Sequence, residues 1–448
     1  MSAKHPLACI VLAAGKGVRM KSDIAKPLHP VAGRPMIQHV LGAIKPLHPQ
    51  HTVIVIGQDM TDMAGAVRPH DIAVQPEAKG TGDAVRCALP ALGSFEGDIL
   101  VVFGDTPLVT PETLSALVNR RRETDNPAVV LAGVEYENPP AYGRIICDAL
   151  GRPQRIVEEK DATPEEKKIR LCNVGVMAVD AKVLPNLLAK LQPNNAKGEF
   201  YLTDIVAHAR AEGRSCALVV VPADDVAGVN SRAELAAVEA IMQRRLRDRA
   251  MAEGVTFQDP NSVWLSWDTQ FGYDVTVGPS VWFGPGVVVG DYVEIRAFCH
   301  LEGATIEPGA LIGPFARLRP GTKIGSEAHV GNFVELKNAK IKDGAKINHL
   351  SYISDSMVGE KANIGAGCIT VNYDGVAKYR TEIGAGALIG CNSSLVAPLR
   401  VGKNARVGAG SVITKEVPPE TLAIERGEQR LIEGKGMAYQ KARIKKNY

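Results

Sequence analysis

Between Val277 and Ile413 an apolar residue returns at about every sixth position. Val277, Phe283, Val289, Ile295 and Leu301 form a first series, and Ile306, Ile312, Leu318, Ile324, Val330 and Leu336 follow after one step of five. Ile341, Ile347 and Ile353, then Val358 and Ile364, continue it. The count resumes at Ile383, Ile389, Leu395, Val401, Val407 and Ile413. A period of six suits neither an amphipathic helix nor an alternating strand. It is the repeat of a parallel β-helix, in which short strands make flat sides and turns make corners. Such coils stack only on their neighbours and enclose an apolar bore. Gly often follows the apolar residue (Gly278, Gly290, Gly313, Gly325, Gly359, Gly365, Gly384, Gly402), as expected if the corners need left-handed backbone.

A chain of 448 residues exceeds one ordinary domain. The expected division is 1–230, a linker helix over 231–254, and 255–448. A formal net charge of +3 and 5% aromatic residues give no case for nucleic-acid binding. The eight Cys are scattered and never paired as C-x-x-C, which suits a reducing compartment. Residues 1–7 lack a signal-peptide pattern, and no apolar run reaches a membrane span of about 18 residues. The expectation is a soluble cytoplasmic protein without a membrane partner.

The first half alternates apolar runs (Cys9–Ala14, Val53–Ile56, Ile99–Phe103, Val129–Val134, Val174–Val179, Ala217–Val221) with helical patterns. That order predicts an open, mostly parallel α/β sheet covered on both faces, with ligands beyond the carboxyl ends of its strands. Ser231-Arg-Ala-Glu234 reads as a capping box, and Leu235, Val238, Met242 and Leu246 mark one face of the following helix, which Gly254 should stop. Val255–Asp274 reads as irregular. Beyond Pro418-Pro419 the period is lost, and the chain closes in a basic tail, Lys441–Lys446, expected to be solvated.

Leu12-Ala-Ala-Gly-Lys-Gly-Val-Arg-Met20 is a glycine turn directly after a strand. It lacks the Gly-Lys-Ser/Thr of a Walker loop and the third Gly of a dinucleotide fingerprint. Its backbone N–H groups can still face phosphate, and Lys16, Arg19 and Lys26 can neutralise charge. Asp105 follows Gly104 at a strand's carboxyl end, where a hard-cation ligand would meet bound phosphates. With Lys26-Pro-Leu, Gln75-Pro-Glu-Ala-Lys-Gly-Thr-Gly82 and Phe103-Gly-Asp105, the chain resembles the sugar nucleotidyltransferases.

Tyr142-Gly-Arg144, Val157–Asp161, Cys172–Gly175, Tyr201–Asp204 and Gly228–Arg232 sharpen this to one family. It is the bifunctional N-acetylglucosamine-1-phosphate uridylyltransferase and glucosamine-1-phosphate N-acetyltransferase family. The resemblance spans nearly the whole chain. It implies that Leu12, Ala13, Ala14, Gly15, Gln75, Gly80 and Thr81 hold UTP, with Phe103 and Gly104 beside them. It further implies that Gly143, Glu158 and Asn173 hold the sugar, and that Asp105 and Asn230 ligate Mg²⁺. The product would be UDP-N-acetylglucosamine, a precursor of peptidoglycan and lipopolysaccharide.

In the second half, Arg319 and Lys337 lie eighteen residues apart. With three hexads per coil they would stack and repel, which a bound phosphate relieves. The hexad stretch resembles hexapeptide proteins, which imply a left-handed triangular prism assembled as a homotrimer. The family resemblance makes His349 the base for acetyl transfer, with Arg319, Lys337, Tyr352 and Asn363 around glucosamine 1-phosphate. His suits that role near neutral pH. Between Ile364 and Ile383 the ladder is broken by an insertion bearing Asn372 and Tyr373, and loops thrown from a regular rod commonly bind. The resemblance assigns these two to acetyl-CoA with Ala366, Ala409 and Arg426. Cys391 stands where the family commonly has Ser, which weakens one hydrogen bond.

Two other readings are weaker. The β-helix could be a bare oligomerisation scaffold, but a scaffold needs neither His349 nor the Asn372–Tyr373 loop. It could be a zinc hydratase using His300 and His329, which share one hexad position, but His349 occupies another and nothing suggests three His converging on a metal.

Overall fold

The computed structural model describes residues 5–435. The basic tail over 441–446 lies outside them. The chain divides into two compact units between Leu246 and Arg247. That division falls inside the helix Arg232–Ala252, which ends two residues before Gly254 at φ +100°.

The first unit is built on one twisted sheet. Its main order is Cys216–Val220, Val129–Glu135, Leu171–Asp180, Asp98–Phe103, Leu7–Leu12, His51–Gly57 and Asp71–Gln75. Leu7–Leu12 is buried at every position and parallel to both neighbours. Its side chains alternate between two cores. Ala8, Ile10 and Leu12 join one, and Leu7, Cys9, Val11 and Ala13 join the other. Apolar residues at successive positions are therefore what a strand covered on both faces requires.

The departure from parallel pairing is Leu171–Asp180, antiparallel to both of its neighbours. Its register slips between Asn173 and Met177, and Gly175 there takes φ +84°. A slip of this kind re-aims side chains, and Asn173 stands at its edge.

The second unit winds through three sheets of ten, eight and eight short strands. Down one sheet Val277, Ile295, Ile312, Val330, Ile347, Ile364, Ile389 and Val407 are successive partners. Three hexads therefore make one coil. Steps of five residues shorten a corner, and the insertion lies between Ile364 and Ile389. The hexad side chains point inward, with Phe283, Leu318, Leu336 and Ile347 fully buried.

The coils extend beyond the predicted ends. Thr256–Phe257 pairs with Thr276–Val277, and Gln270–Phe271 with Val288–Val289, so the stretch read as irregular is a first coil. Its period is disguised by a 3-10 turn at Pro260–Ser262. At the far end Leu422–Ala423 still pairs with Arg406–Val407.

The reason for the corner glycines is corrected as well. Of the eight, only Gly313 has positive φ. The left-handed positions fall elsewhere in the turns, often on non-Gly residues such as Phe298, Phe315, Phe333 and Asn404. What the glycines allow is contact between coils. A Cβ on Gly402 would meet Pro419 N at 2.3 Å, and one on Gly384 would meet Lys403 N at 2.5 Å.

Candidate active sites

In the first unit a cavity of about 470 Å³ opens beyond the carboxyl ends of the central strands. Leu12, Ala13, Ala14, Gly15, Lys26, Gln75, Gly80, Thr81, Phe103, Asp105, Gly143, Glu158, Asn173 and Asn230 all line it. Arg19 does not. It sits exposed in the short 3-10 helix Val18–Met20 that follows the glycine turn. Gly104 is buried behind the wall, where a Cβ would strike Ile37 Cδ1 at 2.7 Å.

Electrostatics organise this cavity. The Lys26 ammonium lies between an Asp105 carboxylate oxygen and Asn230 Oδ1, the latter at 3.0 Å. Two hard oxygens drawn onto one cation are the kind of pair that would suit Mg²⁺. Asn230 is fixed from behind. Its backbone N–H donates to Glu234 Oε2 at 2.7 Å, and the Ser231 hydroxyl donates to the same oxygen. The predicted capping box thus also anchors a site residue.

Across the cavity, burial holds the Glu158 carboxyl above its ordinary value, and the Thr203 hydroxyl bond opposes this only in part. Gly143 leaves room there, since a Cβ would stand 3.0 Å from Ile156 Cγ2 and 3.4 Å from Glu158 Oε1. Tyr142 and Lys197 also line the cavity without having been assigned a role. Tyr142 was visible within a motif, whereas Lys197 carried no signal.

The second unit brings its predicted residues to one corner and the face beside it. Asn332 and His349 are register partners in adjacent coils, each two residues past a buried aliphatic. Ala366, Cys391 and Ala409 hold the same position in the next three coils. One edge therefore carries Asn332, His349 and three small residues in a row. Arg426 reaches over the last, donating to Ala409 O at 3.2 Å. His349 Nδ1 lies 2.6 Å from Asn332 Oδ1. An accepting amide oxygen suits the neutral tautomer with its proton on Nδ1, in which Nε2 keeps its lone pair. Asn332 was not foreseen, although writing the coils in register puts it beside His349.

Arg319 and Lys337 do sit in adjacent coils, with Arg319 N–H bonded to Leu336 O. Their repulsion is not bare, because Glu335 accepts from Arg319 at 2.9 Å and pairs with Arg317 at 3.7 Å. A third cation, Lys378 of the insertion, was missed. It lowers the Lys337 ammonium pKa most, and Arg319 adds to the effect. Tyr352 shares the Lys337 sheet, while Asn363 lies on the sheet of His349. Asn372 is turned inward, donating to Asp355 Oδ2 at 2.7 Å, so its side chain anchors the loop. Tyr373 is exposed on the loop, where it forms a β-bridge to Lys378.

His300 and His329 occupy different sheets. His300 stacks on Trp282 at 4.2 Å.

A glycine turn and a strand-end carboxylate on one cavity, with a hexad coil that carries a His–Asn pair at its corner, are the features of a transferase class with two sites. Residues 9–163 match the MobA-like NTP transferase domain, 300–377 the GMPPB C-terminal domain, and 380–415 the bacterial transferase hexapeptide repeats. The bifunctional protein GlmU of Parvibaculum lavamentivorans is 56% identical over 94% of this chain and 93% of its own. That of Paramagnetospirillum magneticum is 53% identical over 96% of each, and that of Azorhizobium caulinodans 51% over 99% of each. The chain belongs to the GlmU family and is a bifunctional transferase. No helix among the described residues is long and apolar enough to cross a membrane.

Proposed function

We propose that the two transfers of this enzyme, uridylyl and acetyl, are carried by the two sites as follows. In the first unit a phosphate oxygen of N-acetylglucosamine 1-phosphate attacks the α-phosphorus of UTP and pyrophosphate leaves. The turn from Leu12 to Gly15 cradles phosphate, Gln75, Gly80 and Thr81 hold the nucleotide, and Gly143, Glu158 and Asn173 hold the sugar. Asp105 and Asn230 would hold Mg²⁺, which supplies positive charge to the phosphates. Lys26 adds its own, so the protein works chiefly by positioning and charge neutralisation. No protein nucleophile is required.

In the second unit Arg319, Lys337 and Lys378 hold the phosphate of glucosamine 1-phosphate. The sugar amine attacks the thioester of acetyl-CoA, and His349 Nε2 takes the proton it loses. The row of small residues at Ala366, Cys391 and Ala409 leaves space for an extended coenzyme arm, with Asn372, Tyr373 and Arg426 flanking it. Tyr352 and Asn363 complete the sugar side.

The observation that carries the reading is convergence. Leu12, Gln75, Asp105, Glu158, Asn173 and Asn230, from six separate segments, all face one cavity. The test uses two substitutions and two assays. Asp105→Ala abolishes UTP-dependent pyrophosphate release and spares acetyl transfer. His349→Ala slows acetyl transfer about 10²–10⁴-fold and spares uridylylation. Each substitution acting on both assays, or on the wrong one, would overturn the assignment.

Self-association fits an exposed ladder of Phe298, Phe315, Phe333 and Leu350, in which the three Phe rings stack at 4.8 and 5.0 Å. Such ladders favour burial against another surface, and the resemblance puts the assembly at three copies. Sedimentation should give a trimer that Phe315→Glu dissociates; a wild-type monomer would refute this. Eight free cysteines support a reducing cytoplasmic setting.

A further inference from the structure

The cavity of the first unit contains an amide whose orientation is fixed by chemistry rather than by fit alone. Gln75 ends the strand Asp71–Gln75 and is 5% exposed. Its Nε2 donates to Asp83 Oδ2 at 2.9 Å and to Gly80 O at 3.1 Å. An amide nitrogen has two N–H donors, and both are spent on groups that only accept. Turning the amide over would set Oε1 against a carboxylate and a carbonyl. Asp83 is held in turn, because it lies in the first turn of the helix Thr81–Leu92, where a carboxylate is favoured by the helix dipole. Among the described residues no donor reaches Gln75 Oε1, and the side chain lines the cavity.

We propose that Asp83 is a positioning residue that sets base specificity. It holds Gln75 so that an acceptor faces the base. Uracil carries N3–H and can donate to that oxygen. Cytosine carries a lone pair at N3, which would meet the oxygen head on. The inference rests on the uridylyl reading of this site and adds to it the means of choosing one pyrimidine over the other. Asp83 touches neither substrate nor reacting atoms in this account.

The test measures kcat and KM for UTP and for CTP with the full chain and N-acetylglucosamine 1-phosphate. The variants are Asp83→Ala and the nearly isosteric Asp83→Asn, which retains one acceptor. A site built around a hydrogen bond rejects the wrong partner strongly, so freeing the amide should lower the UTP:CTP ratio of kcat/KM at least about tenfold in Asp83→Ala. The change should come through a higher KM for UTP, with kcat within about threefold of wild type. Asp83→Asn should fall between, which also covers the case in which Asp83→Ala fails to fold. A ratio unchanged while both nucleotides weaken equally would make Asp83 merely structural and overturn the proposal. A wild-type protein that turns over neither nucleotide would refute the uridylyl reading beneath it.

Discussion

Replacing Gly331 by Ala tests whether close stacking of the coils is what holds the acetyl-transfer base in place. Gly331 lies in the strand His329–Asn332, directly before Asn332. A Cβ there would stand 2.0 Å from Asn348 O and 2.6 Å from Asn348 C, whereas real Cβ atoms essentially never come within 3.0 Å. Both contacts are backbone, so no side chain can swing aside. The two coils must part by roughly 1 Å between the residues that carry Asn332 and His349, and overpacking of this kind costs about 1–3 kcal/mol. The 2.6 Å contact between those side chains cannot survive such a shift unaltered. A misplacement of about 1 Å can cost on the order of 10²-fold in rate. Acetyl transfer, followed by release of coenzyme A thiol, should fall by about that factor, and pyrophosphate release from UTP should stay near wild type. Acetyl transfer within threefold of wild type, with an unchanged melting temperature, would refute the reasoning.

Glu158→Gln should alter the pH dependence of stability. Burial raises the Glu158 carboxyl, so the native state binds more protons than the unfolded chain, and stability falls as pH rises from the ordinary Glu range to the raised value. Gln removes that slope, so the variant should melt higher than wild type at pH 7 while its KM for the sugar phosphate rises. An equal or lower melting temperature at pH 7 would contradict this. Leu336→Ala, at a fully buried hexad position between Leu318 and Ile353, should cost about 2–5 kcal/mol by denaturant titration. Hydrogen exchange should show the loss centred on adjacent coils; uniform loss across both units would contradict it. Cys391→Ser should lower the KM for acetyl-CoA with little change in kcat, because a hydroxyl is the better hydrogen-bond partner. An unchanged KM would remove that side chain from coenzyme binding.

The hexad side chains were legible because one geometric demand, an apolar bore, recurs at each side of each coil. Where a 3-10 turn stretched the spacing at Pro260–Ser262, the same coil became invisible although Phe257 and Phe271 still paired. The glycines were seen but misread. Their frequency reflects coil-to-coil contact, which is a distance between residues about eighteen apart and leaves no local mark. Motifs located the lining of the first cavity, because glycine turns and strand-end carboxylates are local features. Partners that act across the fold were missed. Glu335 beside Arg319, Lys378 beside Lys337 and Asp83 behind Gln75 are ordinary charged residues until the fold brings them together. Arg19, in the glycine-turn motif, is exposed and does not line the cavity.

Whether one chain carries two chemistries is tested most directly at the second unit. Purified full-length protein mixed with glucosamine 1-phosphate and acetyl-CoA, without UTP, would be followed for release of coenzyme A thiol. The account predicts release that requires the sugar phosphate and is lost in His349→Ala. No release, with uridylylation of N-acetylglucosamine 1-phosphate intact, would contradict it and leave the β-helix without a catalytic role.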